Sequence, residues 1–111
     1  MKTLLLLALT IAIAGAHAPQ DAVKRFLQPR NARDACAQLA PAYRKQIEAQ
    51  YGPCVAGVAK NPKATHLVIS DVVVHGNEAA LQADYSVPSG PITEHFTLVQ
   101  RHHIWLITSA R

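Results

Sequence analysis

The chain lacks the long apolar run that a membrane-spanning helix needs. Its longest apolar stretch, residues 4–14, is interrupted only by Thr10, whereas a membrane span takes about 20 apolar residues. Lys2 gives the chain a positively charged start, and the apolar stretch ends in the small residues Ala14, Gly15, Ala16 and Ala18, with His17 among them. This order is typical of a secretory signal peptide. The sequence therefore predicts export, and an uncleaved membrane anchor is the less favoured alternative.

Cysteine is scarce, because the chain contains only Cys36 and Cys54. They form no Cys-x-x-Cys pair and have no third thiolate beside them, which argues against a redox-active or metal-binding pair. No cysteine stands where the signal region ends, which argues against a lipid anchor. In an exported chain, two cysteines allow one intramolecular disulfide.

The cleavage site is predicted from a proline. Cleavage after Ala18 would place Pro19 directly behind the cut bond, and such bonds are poor protease substrates. Cleavage after Ala16 avoids this. We therefore expect residues 1–16 to be a signal peptide and residues 17–111 to be one small domain, secreted, periplasmic or otherwise outside the cytoplasmic membrane.

Aromatic residues are also few, at 5% of the chain, and the positive charges are spread. The 11 lysines and arginines exceed the 7 acidic residues only mildly. A nucleic-acid surface gathers its cations on one face and interleaves aromatic side chains for stacking. We therefore expect solvated helix faces and no nucleic-acid partner.

Familiar catalytic and metal-binding motifs are missing. There is no Gly-x-Ser-x-Gly, and the five glycines form no phosphate-binding loop. The six histidines are not spaced as metal ligands with supporting acids, and the adjacent His102 and His103 would diverge from a turn. We expect no cofactor and no metal. One alternative stays open, since His17 as a mature amino terminus could bind copper or nickel.

What the chain does contain is two halves of different character, which meet near Ala64. Alanine, glutamine, leucine, lysine and arginine dominate the first half, and β-branched residues alternate with polar ones in the second. Helices followed by strands predict an α+β domain rather than alternating βαβ units. We expect N-terminal short helices packed on a curved, four-stranded antiparallel sheet.

Proline, glycine and asparagine divide the first half into four predicted helices. Their expected extents are residues 21–27, 32–40, 41–50 and a short helix that opens at Pro53. Asn31 is a predicted N-cap and Gly52 a predicted C-terminal cap. The third helix carries Tyr43, Ile47 and Tyr51 as its apolar side.

These helix breaks make a disulfide geometrically feasible. One straight helix would hold positions 36 and 54 about 27 Å apart, whereas a disulfide needs Cα atoms within about 7 Å. Pro41 and Gly52 supply breaks at which the chain can fold back. We therefore predict a Cys36–Cys54 bond that stabilises the fold by about 3 kcal/mol.

The second half predicts four strands, at residues 65–74, 78–87, 92–101 and 104–109. In the first strand Leu67 and Ile69 share the apolar face, and Val72 and Val74 continue it. The period-two pattern therefore slips at Ser70 and Asp71, which indicates a β-bulge. Leu81 and Phe96 fall on the face expected to pack on the helices, because each strand alternates its side chains between two faces.

Several segments together resemble one known superfamily. They are residues 25–27 (Arg-Phe-Leu), 34–41 (Asp-Ala-Cys-Ala-Gln-Leu-Ala-Pro), 52–54 (Gly-Pro-Cys), 72–81 and 105–107 (Trp-Leu-Ile). They resemble the small exported bacterial members of the nuclear transport factor 2-like superfamily, over nearly all of the mature chain. The resemblance implies a cone-shaped α+β fold, often with a pocket. Some members are isomerases, dehydratases or cyclases, and many are non-catalytic binding or dimerisation modules.

Catalytic members of that superfamily use carboxylates or histidines that project into the cone. The only candidates here are His95 and Asp84, and His95 shares its face with Thr93 and Thr97, a face that we expect to be exposed. Glu94 falls on the face opposite His95, which leaves Asp84 as the open partner. We therefore expect no catalytic residue.

A set of apolar and aromatic residues is expected to form the core or the wall of a pocket: Phe26, Leu39, Tyr43, Ile47, Leu81, Phe96, Leu98 and Trp105. The predicted function is a secreted, non-enzymatic module that binds a small apolar ligand or a protein partner. Two alternatives remain: a small isomerase, dehydratase or cyclase that uses His95 and Asp84, and a unit that homodimerises through its sheet. An inward histidine–carboxylate pair would favour the enzyme, and a flat apolar outer sheet face would favour the dimer.

Overall fold

A computed structural model describes residues 15–111, which form four helices followed by four strands. The helices are α1 (Pro19–Leu27), α2 (Ala32–Ala37), α3 (Pro41–Tyr51) and α4 (Cys54–Lys60). The strands are β1 (Thr65–His75), β2 (Glu78–Val87), β3 (Gly90–Arg101) and β4 (Ile104–Ala110). This order confirms the predicted α+β class. The predicted signal peptide lies outside the described residues, apart from Gly15 and Ala16.

The predicted capping residues set the helix ends. The side-chain oxygen of Asn31 accepts a hydrogen bond from the backbone N–H of Asp34 at 2.8 Å, which caps α2. Pro41 is the first residue of α3, where its missing N–H costs nothing. Gly52 ends that helix with a φ of 91°, a conformation that glycine adopts without steric cost.

Helix α2 ends earlier than predicted, at Ala37 instead of residue 40. Residues 38–40 leave the helix and pair with β4. The backbone N–H of Ile107 donates to the Gln38 carbonyl, and the N–H of Ala40 donates to the Ile107 carbonyl, both at 2.8 Å. These bonds cover part of the free edge of β4, which would otherwise present unpaired backbone groups.

The four strands form one antiparallel sheet in the order β1-β2-β3-β4. The register of β1 against β2 shifts between Ser70 and Val73, which confirms the predicted bulge. A second shift, between Thr65 and Val68, was not predicted. Only Thr65 of the strand precedes this shift. The sequence before the shift is therefore too short to show an alternating apolar pattern that could slip.

The core lies between the helices and one face of the sheet. Five of the predicted core residues are buried: Leu39, Leu81, Phe96, Leu98 and Trp105. The other three, Phe26, Tyr43 and Ile47, are partly buried and pack against that core. The rings of Phe26 and Phe96 meet edge to face with their centroids 6.4 Å apart, a favourable aromatic geometry.

Three residues that were predicted to face the core are exposed. Tyr51 is 75% exposed, because α3 lies on the surface and none of its residues is buried. Val72 and Val74 are 40% and 50% exposed, although Val74 pairs with the buried Ala79 on the inner face. The helices contact the sheet mainly at β4, so this end of β1 is left uncovered.

The start of the described chain also packs against β4. Ala16 is fully buried, and its carbonyl accepts a hydrogen bond of 3.0 Å from the backbone N–H of Trp105. A side chain at Gly15 would overlap Ile104, so only glycine fits there without a shift of that isoleucine. Cleavage after Ala16 would remove both contacts and free this part of the β4 edge.

Candidate functional site

A groove of about 550 Å³ lies where the ends of α1 and α4 meet the hairpin formed by β2 and β3. Its volume is within the range of small-molecule sites. Its inner wall is mostly apolar and includes Phe26, Leu27, Pro29, Val58, Ala64 and Val87. Its exposed rim includes Asn31, Asn61, Pro62, Lys63 and Ser89. We call this feature the hairpin groove.

Hydrogen bonds between the end of α1 and the start of β1 hold the walls of the groove together. The backbone N–H of Ala64 donates to the Leu27 carbonyl at 3.1 Å, and the side-chain amide of Gln28 donates to the Ala64 carbonyl at 3.0 Å. These two bonds join segments that are 36 residues apart in the chain. The groove is therefore built on fixed elements rather than on a free loop.

One carboxylate faces the interior of the groove. Glu94 on β3 pairs across the sheet with Ala83, which is fully buried, so Glu94 lies on the inner face. The phenol hydroxyl of Tyr85 on β2 donates to Glu94 Oε1 at 2.7 Å. Both residues line the groove and both are partly buried.

The two tyrosines near Glu94 hold their protons firmly. Burial, and after it the hydrogen bond and negative charge of Glu94, raise the pKa of Tyr85 far above its ordinary value. Burial also raises the pKa of Tyr43, helped by the charge of Glu94 and opposed by the backbone N–H of Ala110. Tyr85 is thus a hydrogen-bond donor throughout the neutral pH range, and Glu94 is the acceptor.

His95 and Asp84, the candidates of the alternative enzyme hypothesis, lie elsewhere. Asp84 pairs across the sheet with Thr93, and His95 pairs with Gln82, on the outer face. Thr93 donates to one oxygen of Asp84 at 2.5 Å and Gln82 to the other at 3.0 Å. The hydrogen bond from Thr93, and to a smaller extent that from Gln82, lowers the pKa of Asp84. Neither His95 nor Asp84 borders the hairpin groove.

Of the eight residues predicted for a core or pocket, only Phe26 lines the hairpin groove. The sequence predicts Glu94 only as a residue on the face opposite His95, and not as part of a groove. The signal that could have found it is the alternation in β3, where Glu94 stands between Ile92 and Phe96 in the inward row. Charged side chains are rarely buried without a partner. A charged residue in an otherwise apolar row therefore indicates a position on the inner face that solvent or a polar partner can reach.

Within residues 15–111, no three histidine, cysteine or acidic side chains come together as a metal site. None of the helices in that range is long and apolar enough to span a membrane.

Comparisons with protein-family models, curated proteins and solved structures gave no significant match to this chain. The resemblance to the nuclear transport factor 2-like superfamily therefore stays a prediction. Function has to be inferred from the groove and its chemistry.

Proposed function

We propose that the protein is an exported, non-enzymatic binding module that takes a small apolar molecule into the hairpin groove. The observation that carries this proposal is the apolar inner wall of a groove of about 550 Å³ that opens to solvent. Each buried methylene of a ligand contributes about 0.8 kcal/mol of transfer free energy. A ligand with a short alkyl or aromatic body therefore gains enough from burial to bind.

The placement of polar residues supports a binding role over catalysis by the predicted pair. His95 is exposed on the outer face, and both oxygens of Asp84 already accept hydrogen bonds. A general acid or base acts within hydrogen-bond reach of a bound substrate, and this pair borders no part of the groove.

The outer face of the sheet gives less support to the dimer alternative than to ligand binding. Its central positions are largely polar: Ser70, Gln82, Asp84, Thr93, His95 and Thr97. A flat apolar face would favour pairing of two copies, whereas the large apolar side chains exposed on this face, Val68 and Val73, lie on β1 at one edge of the sheet.

The disulfide supports the proposed export. Cys36 and Cys54 are bonded, with their Cα atoms 6.1 Å apart, and such bonds persist in oxidising compartments outside the cytoplasm. We expect the exported protein to begin at His17, which amino-terminal sequencing of the secreted or periplasmic fraction would show. A protein that starts at Met1 and stays with the membrane would contradict export by a cleaved signal.

Two tryptophan variants of α4 test the binding role. Val58 lines the groove, so Val58→Trp is expected to fill it and to weaken the binding of a neutral apolar fluorescent probe such as Nile red by about tenfold or more. Val55 lies on the same helix, is 38% exposed and does not line the groove, so Val55→Trp is the matched control. If the two variants bound the probe with the same affinity, whether unchanged or reduced, the probe would bind outside the hairpin groove. Melting curves of both variants show that they are folded.

A further inference from the structure

The hairpin groove has one charged group on its inner wall. Glu94 and Lys63 are the charged residues that line it, and Lys63 is exposed at the rim whereas Glu94 is partly buried on the inner face. An ionised carboxylate offers about four acceptor positions. The Tyr85 hydroxyl donates to Glu94 Oε1 and occupies one of these positions.

Three donors at the walls of the groove already make hydrogen bonds within the protein. The Tyr85 hydroxyl donates to Glu94 itself, so the tyrosine oxygen is left as an acceptor. The backbone N–H of Ala64 donates to the Leu27 carbonyl, and the Gln28 side-chain amide donates to the Ala64 carbonyl. The inner wall therefore offers acceptors and a negative charge, but few donors, to a molecule in the groove.

We infer that the hairpin groove selects apolar molecules that carry a protonated amine. This inference rests on the proposed binding function and names the class of ligand. The ammonium group would donate to the open positions of Glu94 and offset its charge, while the apolar body lies against Phe26, Leu27 and Val58. A carboxylate or phosphate head group would meet a like charge at the inner wall, because the side chains with further donor groups, Asn31, Asn61, Lys63 and Ser89, lie at the exposed rim.

The net positive charge of the protein opposes the binding of amines. A measured preference for an amine would therefore point to a local negative group. The chain carries a formal net charge of +4, so non-specific electrostatics attract anions and repel amines. A tighter complex with an amine than with an anion of the same chain length must then come from a local negative group. If Lys63 at the rim dominated instead, the anion would bind more tightly than the amine.

Displacement of a neutral probe by three unbranched ten-carbon molecules tests the inference. Decylamine, decanol and decanoate differ in the head group, which is a cationic ammonium, a neutral hydroxyl and an anionic carboxylate. We expect decylamine to bind about tenfold more tightly than decanol, and decanoate to bind more weakly than either. Each of the three competing molecules is used below the concentration at which it aggregates or forms micelles.

Two isosteric variants complete the design. Glu94→Gln removes the inward charge and should bring the affinity for decylamine down to that for decanol. Asp84→Asn removes a carboxylate from the outer face and should leave the preference for the amine intact. Melting curves of both variants show that they are folded.

The outcomes separate the inference from the proposed function. Equal affinities for the three molecules, or tightest binding of decanoate, would overturn the amine preference and leave the binding function standing. Retention of the preference in Glu94→Gln would likewise overturn it. If the wild-type protein bound neither the neutral probe nor any of the three molecules, the proposed function itself would be wrong.

Discussion

Replacement of Leu81 by alanine is expected to lower the free energy of unfolding by about 2–5 kcal/mol. Leu81 on β2 is only 3% exposed and pairs across the sheet with the fully buried Phe96. Alanine would remove its buried methyl groups and leave a cavity that the surrounding side chains fill only in part. Urea or thermal unfolding of the variant against wild type measures the loss.

The matched control is His95→Ala on the neighbouring strand. His95 is exposed on the outer face of the sheet, opposite Gln82, so its removal should change the free energy of unfolding by about 0.5 kcal/mol or less. Similar losses in both variants would mean that the assignment of inner and outer faces is wrong. A His95→Ala protein with unchanged stability that had lost a measurable turnover would show that the protein is an enzyme.

Removal of the disulfide is expected to have a comparable effect. The Cys36–Cys54 bond joins α2 to α4 across 18 residues of chain, and a closed loop of that length is worth about 3 kcal/mol in the chain-entropy account. The double variant Cys36→Ala, Cys54→Ala should therefore unfold at a markedly lower temperature or urea concentration than wild type.

Reductant provides the internal control for that comparison. It should destabilise wild type and leave the double variant unchanged, since the variant has no bond to break. The start of α4 keeps a hydrogen bond that does not involve sulfur, because the backbone N–H of Cys54 donates to Glu48 Oε2 at 2.8 Å. Two freely alkylated thiols in folded, exported wild-type protein, found by intact mass without reductant, would contradict the disulfide.

Local sequence signals predicted much of this fold. Asn31, Pro41 and Gly52 act at helix ends through their own side chains and backbone, so their positions in the sequence are sufficient to place the breaks. The slip in the apolar pattern at Ser70 located a bulge, because a strand that gains one residue must exchange its two faces. The two cysteines can pair because the chain reverses direction at those helix breaks, which brings α4 back beside α2.

Features that depend on distant segments could not be predicted in this way. The exposure of Tyr51 and Val74 follows from where the helices lie across the sheet, which no local pattern records. Helix α2 ends at Ala37 because residues 38–40 pair with a strand about 70 residues later. The groove itself needs α1, α4 and the hairpin together, so the inward position of Glu94 was visible in the sequence but its surroundings were not.

The most direct test of the binding role is to map where a neutral ligand perturbs the backbone amides. Isotope-labelled mature protein, residues 17–111, would be titrated with decanol and followed by two-dimensional NMR. We expect the largest shift changes at the residues of the hairpin groove, Leu27, Val58, Ala64, Tyr85, Val87 and Glu94, and little change at His75 and Asn77 at the far end of the sheet. Changes centred on the exposed valines of β1 or on the outer face at His95, or no changes at saturating decanol, would contradict a ligand site in the groove.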